Sequence, residues 1–342
     1  MTEEDIVFRW NRRRRSIRAE QIYAKIGKKP MIRYLVLFFP AMLFFAAEGY
    51  AQKEDSIYYK LTLDEFVVKD TRLNLKNFIR KMESDETFYR AFRNLRKHGY
   101  RGENAITLYD KKKNVRASYE SSVVQHSDGN CRTMDWVREK VVGNFFEGGE
   151  KKKPRFYTAE LFDRLFLTHG RVCEGEEEED SMHIGKADSK TQGYINDLKK
   201  LIFKPGQQVD VPFIGKKMAI FSEKMQKYYD YSFTSGKYKG KTDCYIFTVS
   251  AKKDAGEGDT VVKFLETFFD KSDFQILGRN YRLKYSNWIF QFDVTMNIEV
   301  ERFNSRYIAS YIHYDGYWDI PFKKPEICVF YSKFSDYKAS KK

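Results

Sequence analysis

Residues 290–300 read Phe-Gln-Phe-Asp-Val-Thr-Met-Asn-Ile-Glu-Val, a stretch in which six apolar residues alternate strictly with five polar ones. Alternation with a period of two places the apolar side chains on one face of a β-strand and the polar side chains on the other. One face is therefore expected to pack against an apolar interior while the other meets water. This arrangement is typical of antiparallel sheets.

The segments around this stretch repeat its pattern less cleanly, at 276–285 and 307–313. From residue 228 onwards, turn signals separate successive strand-like runs, and they lie at 236–240, 254–259, 287 and 303–305. The pattern predicts an antiparallel meander. Together with the helices below, it predicts an α+β fold in which a curved antiparallel sheet, a half-barrel, has helices packed on or closing one face.

Apolar residues recur at helical spacing in three segments earlier in the chain. The positions are Leu75, Phe78, Ile79 and Met82; Phe88, Phe92 and Leu95; and Leu161, Phe162, Leu165 and Phe166. Ser84 or Asp85 is the predicted N-cap of the second helix and Thr158 that of the third. A further helix is predicted from Thr191, and residues 104–125 predict a β-hairpin with its turn at 111–114. The middle of the chain is less regular.

An apolar run near the N-terminus predicts export. Residues 35–47 are apolar, and Gly49 and Ala51 supply the small residues that signal peptidase requires. We expect a Sec signal peptide cleaved after Ala51 and a location in the periplasm or at the outer-membrane periphery. A retained membrane anchor and a twin-arginine signal at 12–15 are alternatives, and Met31 is an alternative start.

These patterns divide the chain into three predicted parts. Residues 1–51 form an N-terminal extension with the signal peptide, and residues 52–103 an N-terminal strand with helices. Residues 104–342 form an α+β domain that is rich in strands from residue 228.

Charge and residue spacing argue against several classes of function. The net charge is +14 in 342 residues, but Lys and Arg are scattered among carboxylates, so a solvated surface is expected and no nucleic-acid partner. The five histidines and four cysteines lack the spacing of a metal site, and no nucleophile motif appears. We therefore expect no metal, no cofactor and no catalytic residues. Cys244 and Cys328 are predicted to be small buried residues, and one or two disulfides remain open.

Residues 313–325 gather aromatic rings, carboxylates and prolines. Tyr314, Tyr317 and Trp318 are candidates for an aromatic groove, beside which Lys323 and Lys324 would suit an anionic group. The alternative is a β-turn at residues 315–316 with aromatic cross-strand pairs.

Paired carboxylates suggest a second class of function, an enzyme that acts on envelope glycans. Glu266, Asp270 and Asp273 are candidates, but their context predicts a strand that runs into a turn. If the protein is an enzyme of this kind, carboxylates are also expected to meet beside Tyr317 and Trp318.

A family resemblance bears on the function. Residues 228–313 contain Tyr-Asp-Tyr-Ser-Phe, Asp-Cys-Tyr-Ile-Phe-Thr-Val and Thr-Phe-Phe-Asp-Lys-Ser-Asp-Phe-Gln-Ile-Leu, and this part resembles periplasmic lipoprotein carriers of the LolA and LolB type. The motif Asp-x-x-x-x-x-Ile at 270–276 carries the match. The resemblance implies a half-barrel with a hydrophobic cavity, and its expected ligand is a lipid or a lipoprotein acyl chain.

The residues predicted to line this cavity are Phe290, Phe292, Val294, Met296 and Ile298; the alternative is that they form an ordinary core. A further alternative is an interaction module with an outer-membrane protein partner. Such a module predicts an exposed apolar patch in place of an enclosed cavity.

Overall fold

One curved, open antiparallel sheet of twelve strands dominates the described part of the chain, as seen in a computed structural model. The structure describes residues 59–61, 75–148, 153–173, 201–209, 211, 214–288, 291–320 and 323–340. The chain divides into the units Met1–Lys53 and Glu54–Lys342, and every described residue belongs to the second unit. The predicted signal peptide and cleavage site therefore lie outside the described residues.

The strands pair in the order β1-β6-β7-β8-β9-β10-β11-β12-β2-β3-β4-β5. Their bounds are β1 Tyr59–Leu61, β2 Gly99–Tyr109, β3 Val115–Ser127, β4 Cys131–Gly143, β5 Val172–Cys173, β6 Tyr229–Tyr238, β7 Thr242–Ala251, β8 Val262–Asp270, β9 Ile276–Ser286, β10 Gln291–Phe303, β11 Arg306–Asp319 and β12 Glu326–Lys338. The predicted meander is present from β6 to β12. The N-terminal hairpin β2–β3 then adds to β12, and the predicted boundary after residue 103 falls within β2.

Short helices cover the apolar face of this sheet. They include α1 Leu75–Glu83, α2 Thr87–Arg96, α3 Tyr157–Phe166 and α4 Glu223–Gln226, with a 3-10 turn at Gly215–Met218 and helical residues at 201–203. The predicted apolar positions of α2 and α3 are buried. Within the described part, no helix is both long and apolar enough to cross a bilayer.

Polar contacts attach the helices to the sheet and to one another. Between α1 and α2, the Asp85 carboxylate forms an ion pair with Arg279 of β9 at 3.1 Å, and both side chains are almost fully buried. The side-chain amide of Gln207 donates to the carbonyl oxygens of Met82 and Asp85 at 3.0 and 3.1 Å. At the C-terminal end of α3, the Arg96 guanidinium donates to the carbonyl of Arg164 at 3.2 Å. Apolar contacts have no preferred direction, so these polar contacts determine how α1, α2 and α3 are oriented.

The cysteines divide into a bonded pair and a free pair. Cys131 of β4 and Cys173 of β5 form a disulfide, whereas Cys244 and Cys328 are free and buried, as predicted. The disulfide joins β4 to β5, the strand at one edge of the sheet.

Four local predictions are wrong. Neither Ser84 nor Asp85 is the N-cap of α2, because the helix begins at Thr87 and Glu86 occupies the cap position. Residues 315 and 316 lie inside β11 and form no turn, because both neighbours of the strand continue pairing through them. Thr158 is not the N-cap of α3: the helix begins at Tyr157, and Phe156 occupies the cap position without a side-chain bond. The middle of the chain contains a long strand, β4, whose second half is exposed and therefore shows no apolar alternation.

Candidate functional site

Aromatic rings from three neighbouring strands meet beneath α3. Phe292 of β10 stacks on Trp318 of β11 with ring centroids 4.7 Å apart, and Tyr314 stacks on Phe330 of β12 at the same separation. The indole N–H of Trp318 donates to the Tyr314 hydroxyl at 2.5 Å. The ring centroid of Phe162, from α3, lies 5.3 Å from that of Phe330. We call these five residues the aromatic cluster. The cross-strand register explains it, since Phe292 pairs with Trp318 and Tyr314 with Phe330.

Gly316 makes room for this arrangement. It lies between Tyr314 and Trp318 on the same face of β11, and the Tyr314 ring runs across it. A Cβ atom at this position would lie 2.1 Å from the Tyr314 hydroxyl oxygen and 2.3 Å from the ring carbon that carries it. A glycine inside a strand often marks such a close approach. The same glycine produced the incorrect turn prediction.

The structure brings together parts of two predicted sites. Phe292, Val294, Met296 and Ile298 lie on the core face of β10, each at most 2% exposed. Phe292 joins Tyr314 and Trp318 in the aromatic cluster. Phe290 lies outside the described residues. That these residues line a ligand cavity stays a prediction.

Tyr317 is not part of this cluster. It lies on the opposite face of β11, half-buried, with its hydroxyl donating to Asp319 at 3.4 Å. The predicted aromatic groove is therefore split between the two faces of the sheet, because adjacent residues of a strand point to opposite sides.

Glu326, the first residue of β12, binds the N-terminus of α3. One carboxylate oxygen accepts the backbone N–H of Tyr157 at 3.1 Å; the other accepts the backbone N–H and the hydroxyl of Thr158 at 3.0 and 2.6 Å. Glu326 therefore performs the capping role that the sequence predicted for Thr158. Burial raises its pKa to about 7, although the bonds from Thr158 and Tyr157 and the charge of Arg116 act in the opposite direction.

A cleft of 510 Å³ opens at this end of α3. Its lining includes six cationic side chains and three carboxylates, together with Phe156 and Tyr157. The cations are Arg116, Lys153, Arg155, Arg164, Lys323 and Lys324; the carboxylates are Glu147, Glu160 and Glu326. We call this the cationic cleft.

Pairing within the cationic cleft is incomplete. Arg164 pairs with Glu160 at 2.7 Å, and Lys153 lies 3.9 Å from Glu147. The Arg116 guanidinium lies over the Phe156 ring, 4.9 Å from its centroid. Among the described residues, no carboxylate lies within salt-bridge distance of Arg116, Arg155, Lys323 or Lys324. The cleft therefore has an excess of three positive charges when its carboxylates are ionised.

Tyr157 connects the cleft to the aromatic cluster. It lines the cleft, and its hydroxyl donates to the backbone carbonyl of Trp318 at 3.2 Å. Glu326 is also the register partner of Trp318 in the sheet. An apolar region and a cationic region are thus adjacent at one end of α3.

The other predicted chemical groups have structural roles. Asp270 and Asp273 accept backbone N–H groups in the turn after β8, and Glu266 accepts the amide of Asn280. In the described ranges, no group of three His, Cys, Asp or Glu residues could hold a metal ion. Asp319 and Glu326 lie on opposite faces of the sheet, so these two do not meet beside Trp318.

The sequence identified part of the cleft and missed the rest. Lys323 and Lys324 were noted as suited to an anion, but the other cations come from segments far apart in the chain. Arg155 follows the bridge between Phe146 and Pro154, and Arg116 is the second residue of β3. Nothing in their local sequence signals that they converge.

Among known proteins, only solved structures gave similarities to this chain. No family model and no curated protein matches it. Among solved structures, a DUF1329 family protein from Desulfovibrio piger is 12% identical and covers 75% of this chain and 94% of its own. A putative outer membrane lipoprotein-sorting protein domain from Vibrio parahaemolyticus is 7% identical over 77% of this chain and 89% of its own.

A LolA superfamily protein from Nitrosomonas europaea is 9% identical over 75% of this chain and 93% of its own. The TM-score is 0.22 in all three cases. One of these structures thus belongs to the LolA superfamily, which residues 228–313 resemble in sequence.

Proposed function

We propose that the protein is a non-enzymatic envelope protein that binds a hydrophobic ligand, a lipid or an acyl chain, on the sheet face beneath α3. The aromatic cluster is the observation that carries this proposal. Its rings line the apolar face of the sheet, where an acyl chain would gain contacts of the same non-directional kind that the side chains now make with one another.

A single short helix covers this part of the face. Ten residues at about 1.5 Å each make α3 about 15 Å long. Its position depends on polar contacts at both ends, with Glu326 at the first turn and Arg96 at the last. The strand residues of the aromatic cluster are at most 4% exposed in the structure. Ligand entry therefore requires α3 to move away from the sheet.

The apolar surface extends from the aromatic cluster along β10. Val294, Met296 and Ile298 continue the face on which Phe292 lies. The hydroxyl of Tyr281, from β9, donates to the carbonyl of Ile202 at 2.6 Å and lies 2.8 Å from the Met296 sulfur. We propose these residues, with Phe290, as the further lining of the ligand site.

Export is part of the proposal. The N-terminal segment has the pattern of a Sec signal peptide cleaved after Ala51, which would place the mature protein in the periplasm or at the outer-membrane periphery. The disulfide between Cys131 and Cys173 supports an oxidising compartment, where such bonds persist.

A second candidate is an interaction module for an outer-membrane protein partner. Four valines of β3 and β4 are exposed, among them Val137 at 60% and Val141 at 46%. Large side chains exposed on neighbouring strands can mark a contact surface. This function predicts that Val137→Lys with Val141→Lys abolishes sedimentation of the protein with outer-membrane fractions.

Native mass spectrometry of the purified protein tests the proposed function. The probes are dodecanoic acid and a soluble peptidoglycan fragment. We expect a one-to-one complex with dodecanoic acid, unchanged by the surface substitutions Val137→Lys and Val141→Lys. Absence of any dodecanoic acid complex would contradict lipid binding, and shortening of the glycan fragment would favour the enzyme.

A further inference from the structure

We infer that the cationic cleft binds the anionic end of the ligand, a phosphate or carboxylate group, so that the ligand is an anionic amphiphile. This inference rests on the proposed function and specifies the ligand class. The apolar tail would lie against the aromatic cluster while the anionic group faces Arg155, Lys323 and Lys324.

The first support is the convergence of cations from separate segments. Arg116 is the second residue of β3, Arg155 precedes α3, and Lys323 and Lys324 precede β12. Like charges placed around one concavity repel each other. An anion in the cleft would relieve this repulsion.

The second support is the chemistry of the donors. Guanidinium groups bind carboxylates and phosphates through paired N–H donors, and lysine ammonium groups add mobile point charges. The described part of the cleft supplies both kinds, and Arg155, Lys323 and Lys324 are exposed, so a ligand can reach them without displacing an ion pair.

The third support is that the helix terminus is already satisfied. Glu326 accepts the backbone N–H groups of Tyr157 and Thr158. The anionic group would therefore bind the side chains of the cleft and would not take the place of Glu326 at the helix terminus. Glu326 therefore positions the helix, whereas Arg155, Lys323 and Lys324 would bind the anionic group.

The fourth support is the position of the cleft relative to the aromatic cluster. Tyr157 contributes to the cleft and bonds to the backbone of Trp318. One molecule with a charged head and an apolar tail can contact both regions, whereas a neutral lipid would leave the cleft cations uncompensated.

Calorimetric titration with two matched probes tests the inference: dodecyl phosphate and dodecanol, which share the tail and differ in charge. The test variant is Arg155→Gln/Lys323→Gln/Lys324→Gln. The control variant, Lys216→Gln/Lys241→Gln/Lys253→Gln, removes three exposed charges that do not line the cleft. We expect the test variant to bind dodecyl phosphate about tenfold more weakly or worse, because it loses charge-assisted bonds. Dodecanol binding should be unchanged in both variants.

The outcomes separate the inference from the proposed function. If the wild type binds neither probe, the proposed function fails. If the wild type binds both and the test variant retains full affinity for dodecyl phosphate, the inference alone fails. The last titration uses inorganic phosphate. If it binds as tightly as dodecyl phosphate, the cleft is a site for a free anion, and the inference that the ligand is an anionic amphiphile is wrong. Dodecanol binding by the test variant shows that it is folded.

Discussion

The carboxylate of Glu326 accepts the hydroxyl hydrogen of Thr158 at 2.6 Å and so joins the start of β12 to the first turn of α3. Both residues are buried. This contact lies between the cationic cleft and the aromatic cluster, and it sets the position of the helix that covers the proposed ligand site.

Replacing Glu326 with Gln should remove a pH dependence of stability. The pKa of Glu326 is raised to about 7 in the folded protein from its usual 4.5, so the folded state holds this proton more tightly than the unfolded state does. Its contribution to stability is therefore fully present below about pH 4.5 and is lost as the pH rises through about 7. The charged or titratable groups that influence it are Arg116, Tyr157, Tyr314 and Cys328.

Urea denaturation at pH 5, 6, 7 and 8 measures this effect. Between pH 5 and 8, the wild type should lose about 2–3 kcal/mol of unfolding free energy relative to Glu326→Gln. Titration of groups common to both proteins cancels in the difference. Parallel pH profiles would show that Glu326 does not titrate in this range.

Replacing Gly316 with Ala should disrupt the aromatic cluster. The new methyl group would overlap the Tyr314 ring and force it off Phe330, which we expect to lower the unfolding free energy by about 1–3 kcal/mol. Gly258→Ala is the matched control, because no atom lies within 4 Å of its added Cβ. In a Tyr314→Ala background the same substitution should cost much less. Equal costs in both backgrounds would contradict the close approach.

Replacing Asp85 with Asn should strongly destabilise the protein. The substitution leaves the Arg279 charge buried without its carboxylate, and breaking one side of a buried pair costs about 3–5 kcal/mol. The double variant Asp85→Leu/Arg279→Met removes both charges and should recover most of that loss. Thermal unfolding of the two variants decides the point: if the double variant is as unstable as the single one, the ion pair is not the cause.

Thiol labelling should distinguish the two pairs of cysteines. We expect iodoacetamide to modify none of the four in the native protein, two after unfolding, and four after unfolding and reduction. The double variant Cys131→Ser/Cys173→Ser should lose about 2–4 kcal/mol of unfolding free energy. Labelling of four cysteines without reduction would exclude the disulfide.

Local patterns predicted much of the fold, but little of the site. The alternation of residues 290–300 and the helical spacing of Phe88, Phe92 and Leu95 identified elements correctly, because each element buries one face. The exposed second half of β4 buries neither face, so its sequence carries no such signal.

The site depends on contacts between residues distant in the chain. Glu326 meets Thr158 across 168 positions, and no local pattern encodes that pairing. Gly316 shows the reverse problem: its local sequence is typical of a turn, but the strand needs a glycine there because the Tyr314 ring occupies the space above it.

The fluorescence of Trp318 gives the most direct test of ligand binding beneath α3. In the variant Trp10→Phe/Trp136→Phe/Trp288→Phe, Trp318 is the sole tryptophan of the chain. We expect 11-bromoundecanoic acid to quench this fluorescence saturably at one ligand per chain, whereas undecanoic acid should bind without quenching. Binding of the brominated acid with no quenching of Trp318 would place the ligand away from the aromatic cluster and rule out the proposed site beneath α3.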